Sequence, residues 1–179
     1  MRVLLTGVSC VGKTTIGAEL AQLLKVPFFD LDIEVEKFFE TSISRLQARC
    51  RTMTRYRGQA CRVLELLLSR SEALGFVIAL PPRGLMVPYL RVVRNCLAKV
   101  VVVEDDPINI LDRIQFYDID SNPIAEQLDA DERRNYLDEI KAELAYFKRS
   151  YSKANMRVHI RGSRPREAAQ MIKLALEAS

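Results

Sequence analysis

The sequence predicts an open α/β fold, a parallel sheet of five strands sandwiched between two layers of helices. Two observations point there. Five short apolar runs alternate with amphipathic helical patterns from one end of the chain to the other. Three of those runs, Val26–Phe29, Phe76–Leu80 and Val100–Val103, are apolar at nearly every position, as in strands covered on both faces. A length of 179 residues suits one domain with a sizeable core and needs neither disulfides nor structural metal.

Taken in order, the first strand, Arg2–Thr6, runs into Gly7-Val8-Ser9-Cys10-Val11-Gly12-Lys13-Thr14-Thr15. This stretch fits G-x-x-x-x-G-K-[ST] between an apolar strand and an amphipathic helix, the context of a phosphate-binding loop. Glycines Gly7 and Gly12 let backbone N–H groups turn inward, and the start of the helix Lys13–Lys25 adds partial positive charge. Lys13 is placed to reach the β- and γ-phosphates of a nucleotide, with Cys10, Val11 and Thr15 completing the cradle. Thr14 is placed to ligate Mg²⁺. The bland alternative is a glycine-rich turn with a chance lysine.

The second strand ends in Phe28-Phe29-Asp30-Leu31-Asp32. In open α/β sheets ligands sit beyond the carboxyl ends of the strands, and alternation puts both carboxylates on one side. One is suited to a magnesium-bound water and the other to accepting the proton of an attacking hydroxyl. Alternatively, Asp32 caps the helix expected at Ile33–Glu40. The helix Arg55–Ser71 has Cys61, Leu64 and Leu68 on one stripe, and four residues before Cys61 the stripe lands on Arg57. A guanidinium there requires an anion, either a bound carboxylate or a structural aspartate. Arg49, Arg51, Arg55 and Arg62 mostly fall off that stripe and read as solvated or rim charges.

Beyond the third strand, a helix is expected at Pro107–Phe116 after the fourth, with Arg113 near its end. Phe116–Ala130, with Pro123 and several turn-formers, reads as a loop or short flap. An amphipathic helix follows at Asp131–Tyr151, its stripe formed by Leu137, Ile140, Leu144, Phe147 and Tyr151. The last strand, Met156–Ile160, leads through Arg164-Pro165 into a helix ending at Ala178. Arg113 and Pro165 are candidates to touch a base, or else a surface charge and a helix-start proline.

Net charge is +4, which is too small and dispersed to argue for nucleic acid. Four cysteines form no CxxC pair and His159 is the lone histidine, so a zinc site and a Ser/His/Asp triad are not expected. No apolar run approaches the roughly 20 residues of a membrane-spanning helix. The N-terminal residues carry no signal or transit pattern, so the expected setting is the cytoplasm, with reduced thiols. No nucleic-acid or membrane partner is expected, and the expected assembly is a monomer.

Together, GVSCVGKTTIGAELAQLL, FFDLD, YRGQACRVL, VVVV-x3-P-x4-L-x-R and the terminal RP-x-EAA-x-x-I resemble the shikimate kinase family along nearly the whole chain. The resemblance implies a P-loop NTPase-like kinase domain over residues 1–179, with residues 33–72 as an acceptor-binding segment and 116–130 as a lid. It implies γ-phosphoryl transfer from ATP, with Mg²⁺, to a hydroxyl of a small anionic metabolite, with shikimate the family default. In that light Lys13 takes phosphate, Thr14 and Asp30 the metal, Asp32 the acceptor hydroxyl, Arg57 its carboxylate, and Arg113 and Pro165 the adenine. The chain departs from the family pattern on the acceptor side. Where the family has three glycines the chain reads Ala79-Leu80-Pro81-Pro82-Arg83-Gly84. Asn122 stands where a lid arginine precedes a proline, Phe147 where an acceptor-binding arginine precedes a tyrosine, and Ala60 where a glutamate is usual. Arg83 and Arg149 are the expected substitutes on the acceptor, with Lys148 nearby. Two other readings stand beside the kinase: a nucleotide-binding regulator without turnover, and a nucleoside-monophosphate kinase, which would want lid arginines.

Overall fold

In the computed structural model, which describes residues 1–71 and 75–178, a five-stranded sheet runs in the order β2-β3-β1-β4-β7. The strands are β1 (Arg2–Thr6), β2 (Phe28–Asp30), β3 (Phe76–Ala79), β4 (Lys99–Glu104) and β7 (Met156–His159). Every pairing is parallel, with β1 between β3 and β4 in the centre. Val3, Leu4, Leu5, Val77, Ile78, Val101 and Val102 are fully buried, as the two-sided apolar pattern requires.

Helix α1 (Lys13–Leu24) packs against α8 (Pro165–Glu177) on one face. On the far side of β2, helices α2 (Leu31–Phe39), α3 (Ile43–Arg49) and α4 (Met53–Ser71) form a compact group. The expected segment 33–72 corresponds to this group, with Glu72 outside the described residues. Helix α5 (Tyr89–Asn95) follows β3, α6 (Pro107–Leu111) follows β4, and α7 (Ala130–Tyr151) packs on α6. None of the described helices is long and apolar enough to cross a membrane.

Several local expectations are corrected. Helices α3 and α5, each of seven residues, carry too few turns for periodicity to declare them. The expected helix Pro107–Phe116 stops at Leu111. The stretch after Phe116 is no plain loop. Its strands β5 (Phe116–Tyr117) and β6 (Pro123–Ile124) pair antiparallel as a hairpin. Within the turn, Asp118 accepts the backbone N–H groups of Asp120 and Asn122 and the Asn122 side-chain amide, an Asx-type closure.

Candidate functional site

The loop after β1 wraps the start of α1 with backbone angles that glycine makes possible. Gly7 and Gly12 have φ of 150° and 98°, and a Cβ on Gly7 would lie 2.5 Å from the Val103 carbonyl oxygen. Lys13 Nζ donates to the carbonyl oxygens of Gly7 and Val8, at 3.0 and 2.8 Å, so its ammonium spans the loop mouth. Burial pushes its pKa down, and the Asp32 and Asp30 carboxylates partly offset this. Ser9, Cys10, Gly12, Lys13, Thr14 and Thr15 line a cavity of about 690 Å³, the loop cavity. Val11 is instead fully buried in the core, so its side chain is structural.

Asp30 and Asp32 meet at this cavity, though not by strand alternation. The strand ends at Asp30 and α2 begins at Leu31, so the N-cap of α2 is Asp30, not Asp32. Asp30 Oδ1 accepts the Asp32 N–H at 3.0 Å, while Oδ2 accepts the Thr14 hydroxyl at 2.6 Å. Capping is thereby removed as the reason for Asp32. Its carboxyl is pushed up to about 6, by burial first and then by the Asp30 charge, with Lys13 pulling the other way.

Behind the acidic pair lies a second cavity of about 480 Å³, the Arg57 cavity. Arg57 is half-buried on its wall, and among the described residues no ion pair reaches it. Tyr56 and Tyr89 share the wall, their hydroxyls held neutral because burial raises both pKa values. Pro81, Pro82 and Arg83 form the side supplied by the turn after β3. The Pro82 carbonyl accepts the Tyr151 hydroxyl at 3.1 Å, which ties this turn to the end of α7. Phe147 is buried and stacks on Tyr151, so this position is part of the core. Arg149 points elsewhere: it is exposed and lines neither cavity. Ser9, Asp32 and Pro82 line both cavities and mark where they join.

Sequence reasoning misses Glu143. It lines the Arg57 cavity from α7, three residues after Ile140 and four before Phe147, both buried. The signal is there, because a carboxylate on a core-facing stripe is as informative as Arg57 on α4. Asp105 is missed too. Fully buried at the end of β4, it accepts from Arg113 at 2.7 Å, from Asn109 at 2.9 Å and from the Gly162 N–H at 2.9 Å. Arg113, in the turn beyond α6, is thus fixed on the wall of the loop cavity and tied to the segment before α8. Pro165 opens α8, exposed and outside both cavity walls.

The hairpin closes over this region. Tyr117 lines the loop cavity. The Ser42 hydroxyl donates to the Ile119 carbonyl, the Ser121 hydroxyl to Glu36, and Arg45 forks onto Asp120. The flap is therefore fastened to α2 and α3.

A phosphate-type loop, an acidic pair at its mouth and a second charged cavity on the α2–α4 side now stand together. A family model described as shikimate kinase matches residues 9–177. The chain belongs to the shikimate kinase family. Shikimate kinase of Aquifex aeolicus (strain VF5) is 44% identical over 46 residues, 26% of this chain. That match spans only 27% of the relative, about a quarter of its length. Shikimate kinase of Bacteroides fragilis (strain YCH46) is also 44% identical over 46 residues, covering 26% of each chain.

Solved shikimate kinases share the fold end to end. That of Bacteroides thetaiotaomicron superposes with a TM-score of 0.79 at 23% identity, over 99% of this chain and 98% of the other. The Aquifex aeolicus enzyme gives 0.70 at 26% identity, over 99% and 97%. The Acinetobacter baumannii enzyme, solved in complex with shikimate, gives 0.78 at 22% identity, over 99% and 93%. These likenesses carry the five-stranded parallel architecture.

Proposed function

We propose that this shikimate kinase family member transfers the γ-phosphoryl group of ATP to a hydroxyl of a small metabolite that carries an anionic group. One observation carries the reading: Asp32 stands where the loop cavity and the Arg57 cavity join, the place where a phosphoryl donor and an acceptor would meet. Cys10 and Gly12–Thr15 cradle the phosphates, Lys13 holds their charge, and Arg113 frames the nucleotide at the far end. Arg57 holds the acceptor's anionic group, with Arg83 on the opposite turn, and the segment 116–130, with its hairpin Phe116–Ile124, serves as the lid.

Thr14 and Asp30 offer oxygen atoms 2.6 Å apart at the loop mouth, the hard donor type that Mg²⁺ takes alongside water and phosphate. The residues fit the ion, and Thr14 and Asp30 would hold it, where it would neutralise phosphate charge. In the transfer, the acceptor oxygen bonds to the γ-phosphorus as the bond to the β–γ bridging oxygen breaks. The hydroxyl proton passes to the Asp32 carboxylate, and ADP leaves. Positioning and charge stabilisation supply most of the rate in such transfers.

A rival reading, nucleotide binding without turnover, draws support from Asn122, whose side chain is spent on the hairpin turn. Screening hydroxylated acids by coupled ATP consumption, with background hydrolysis subtracted, separates the two. The kinase reading expects acceptor-dependent ADP release that Asp32→Asn abolishes, and acceptor-independent release throughout would overturn it.

A further inference from the structure

Resting on that kinase reading, we propose that Glu143 is a specificity-determining residue and that the acceptor it selects carries an ammonium group besides the anion held by Arg57. Glu143 is half-buried on α7 and lines the same cavity as Asp32, Arg57 and Arg83. It accepts the Ser9 N–H and faces Lys13 from α1 and Arg83 from the turn after β3. A half-buried carboxylate needs such partners, since its desolvation is otherwise uncompensated.

Nucleotide binding would draw two of these partners away. Lys13 and the Ser9 N–H belong to the phosphate loop, where they are drawn to phosphate oxygens once ATP is seated. Arg83 is exposed, so water screens its charge on Glu143. With the nucleotide bound, the Glu143 carboxylate therefore faces the acceptor cavity short of a cation, close to the incoming phosphoryl charge.

Charge balance in the cavity sharpens the point. Asp32 and Glu143 offset Arg57 and Arg83 before any acceptor enters. A purely anionic acceptor would leave a net negative charge beside the phosphoryl group, which opposes transfer. A zwitterionic acceptor leaves the cavity neutral: its anion pairs with Arg57, its ammonium with Glu143, and its hydroxyl faces Asp32. The class is a small hydroxylated amino acid, open-chain or cyclic, sized to a cavity of about 480 Å³. Charge-assisted pairs of this kind are the stronger class of hydrogen bond and carry geometric selectivity.

Matched pairs test this without depending on turnover. Titration calorimetry with ADP and Mg²⁺ present would compare serine with glycerate, and shikimate with its analogue bearing an amino group in place of one ring hydroxyl. In at least one pair the amino member should bind about tenfold tighter or more to the wild-type protein, a difference of about 1.4 kcal/mol. Glu143→Gln should shrink that preference to within about twofold, and Glu143→Asp should keep part of it. Equal binding, no binding by either amino member, or a preference unchanged in Glu143→Gln would overturn the proposal. The kinase reading fails separately, through ATP binding that Lys13→Ala does not weaken.

Discussion

Around Gly7–Thr15 the candidate site is built from consecutive backbone and one lysine, whereas around Arg57 it is built from side chains on seven separate stretches of chain. The loop cavity draws its donors from a single turn fixed by Gly7 and Gly12 between β1 and α1. The Arg57 cavity gathers the loop after β1, α2, α3, α4, the turn after β3, α5 and α7. A backbone cradle tolerates side-chain change at most of its positions, because its chemistry lies in N–H groups. A side-chain cavity changes chemistry with each replacement. The loop accordingly follows the pattern that the family resemblance rests on, while Pro81, Pro82 and Phe147, in and behind the Arg57 cavity, stand at positions where the chain departs from it.

The largest expected effect falls where the two cavities join. Asp32→Asn should lower kcat on any confirmed acceptor by about 10²–10⁴-fold, the usual worth of a positioned general base. The same variant should be more stable than wild type at neutral pH. The folded-state pKa of Asp32 is about 6 against an ordinary 3.8, so the folded protein binds its proton more tightly. Stability is therefore lost as pH rises from the lower of these values through the higher, by up to about 3 kcal/mol. Thermal melts should show Asp32→Asn ahead at neutral pH, with the gap closing once the pH falls below 3.8. A variant that loses both turnover and stability would return Asp32 to a structural role. In the wild type, kcat/KM should fall as pH drops below about 6, since the base of the free protein must be unprotonated.

On the loop side, Lys13→Ala should weaken ATP affinity by roughly tenfold to a hundredfold, the worth of a lost charge-assisted contact. Calorimetry reads this directly, and unchanged affinity would separate the loop from nucleotide binding. The smallest effect belongs to the flap latch. Arg45→Ala removes an exposed fork onto Asp120, and such pairs contribute about 0.2–1 kcal/mol. It should leave ATP affinity unchanged and raise the acceptor KM by no more than about fivefold, an effect that shrinks in high salt.

The same contrast governs what the sequence can disclose. The parallel sheet is legible because strands covered on both sides are written as unbroken apolar runs. The loop is legible because its glycines and lysine are contiguous. Arg57 is legible as a charge on an apolar stripe, and Glu143 on α7 carries the same signal. Asp105 is not legible, since two of its donors lie on the short helix and turn just after it, which carry no periodic signal, and the third is the backbone N–H of Gly162, distant in the chain. The cap of α2 falls two residues earlier than the pattern suggests, because Leu31 reads equally well as the end of a strand or the start of a helix. Arg149 is a candidate only through its proximity in sequence to Phe147, yet a helix turns neighbouring positions to different sides, and it points to solvent.

The claim that the chain keeps a nucleotide half and carries a rewritten acceptor half meets its most direct test in steady-state kinetics with shikimate and ATP, on protein whose ATP affinity is measured in parallel. Pro81 and Pro82 withdraw backbone donors, Phe147 supplies no cation, and Glu143 adds a negative charge. With ATP binding intact, kcat/KM for shikimate should lie well below about 10⁴ M⁻¹s⁻¹, the lower edge of the usual enzyme range. A value within about 10⁴–10⁸ M⁻¹s⁻¹ would contradict the account and make shikimate the acceptor.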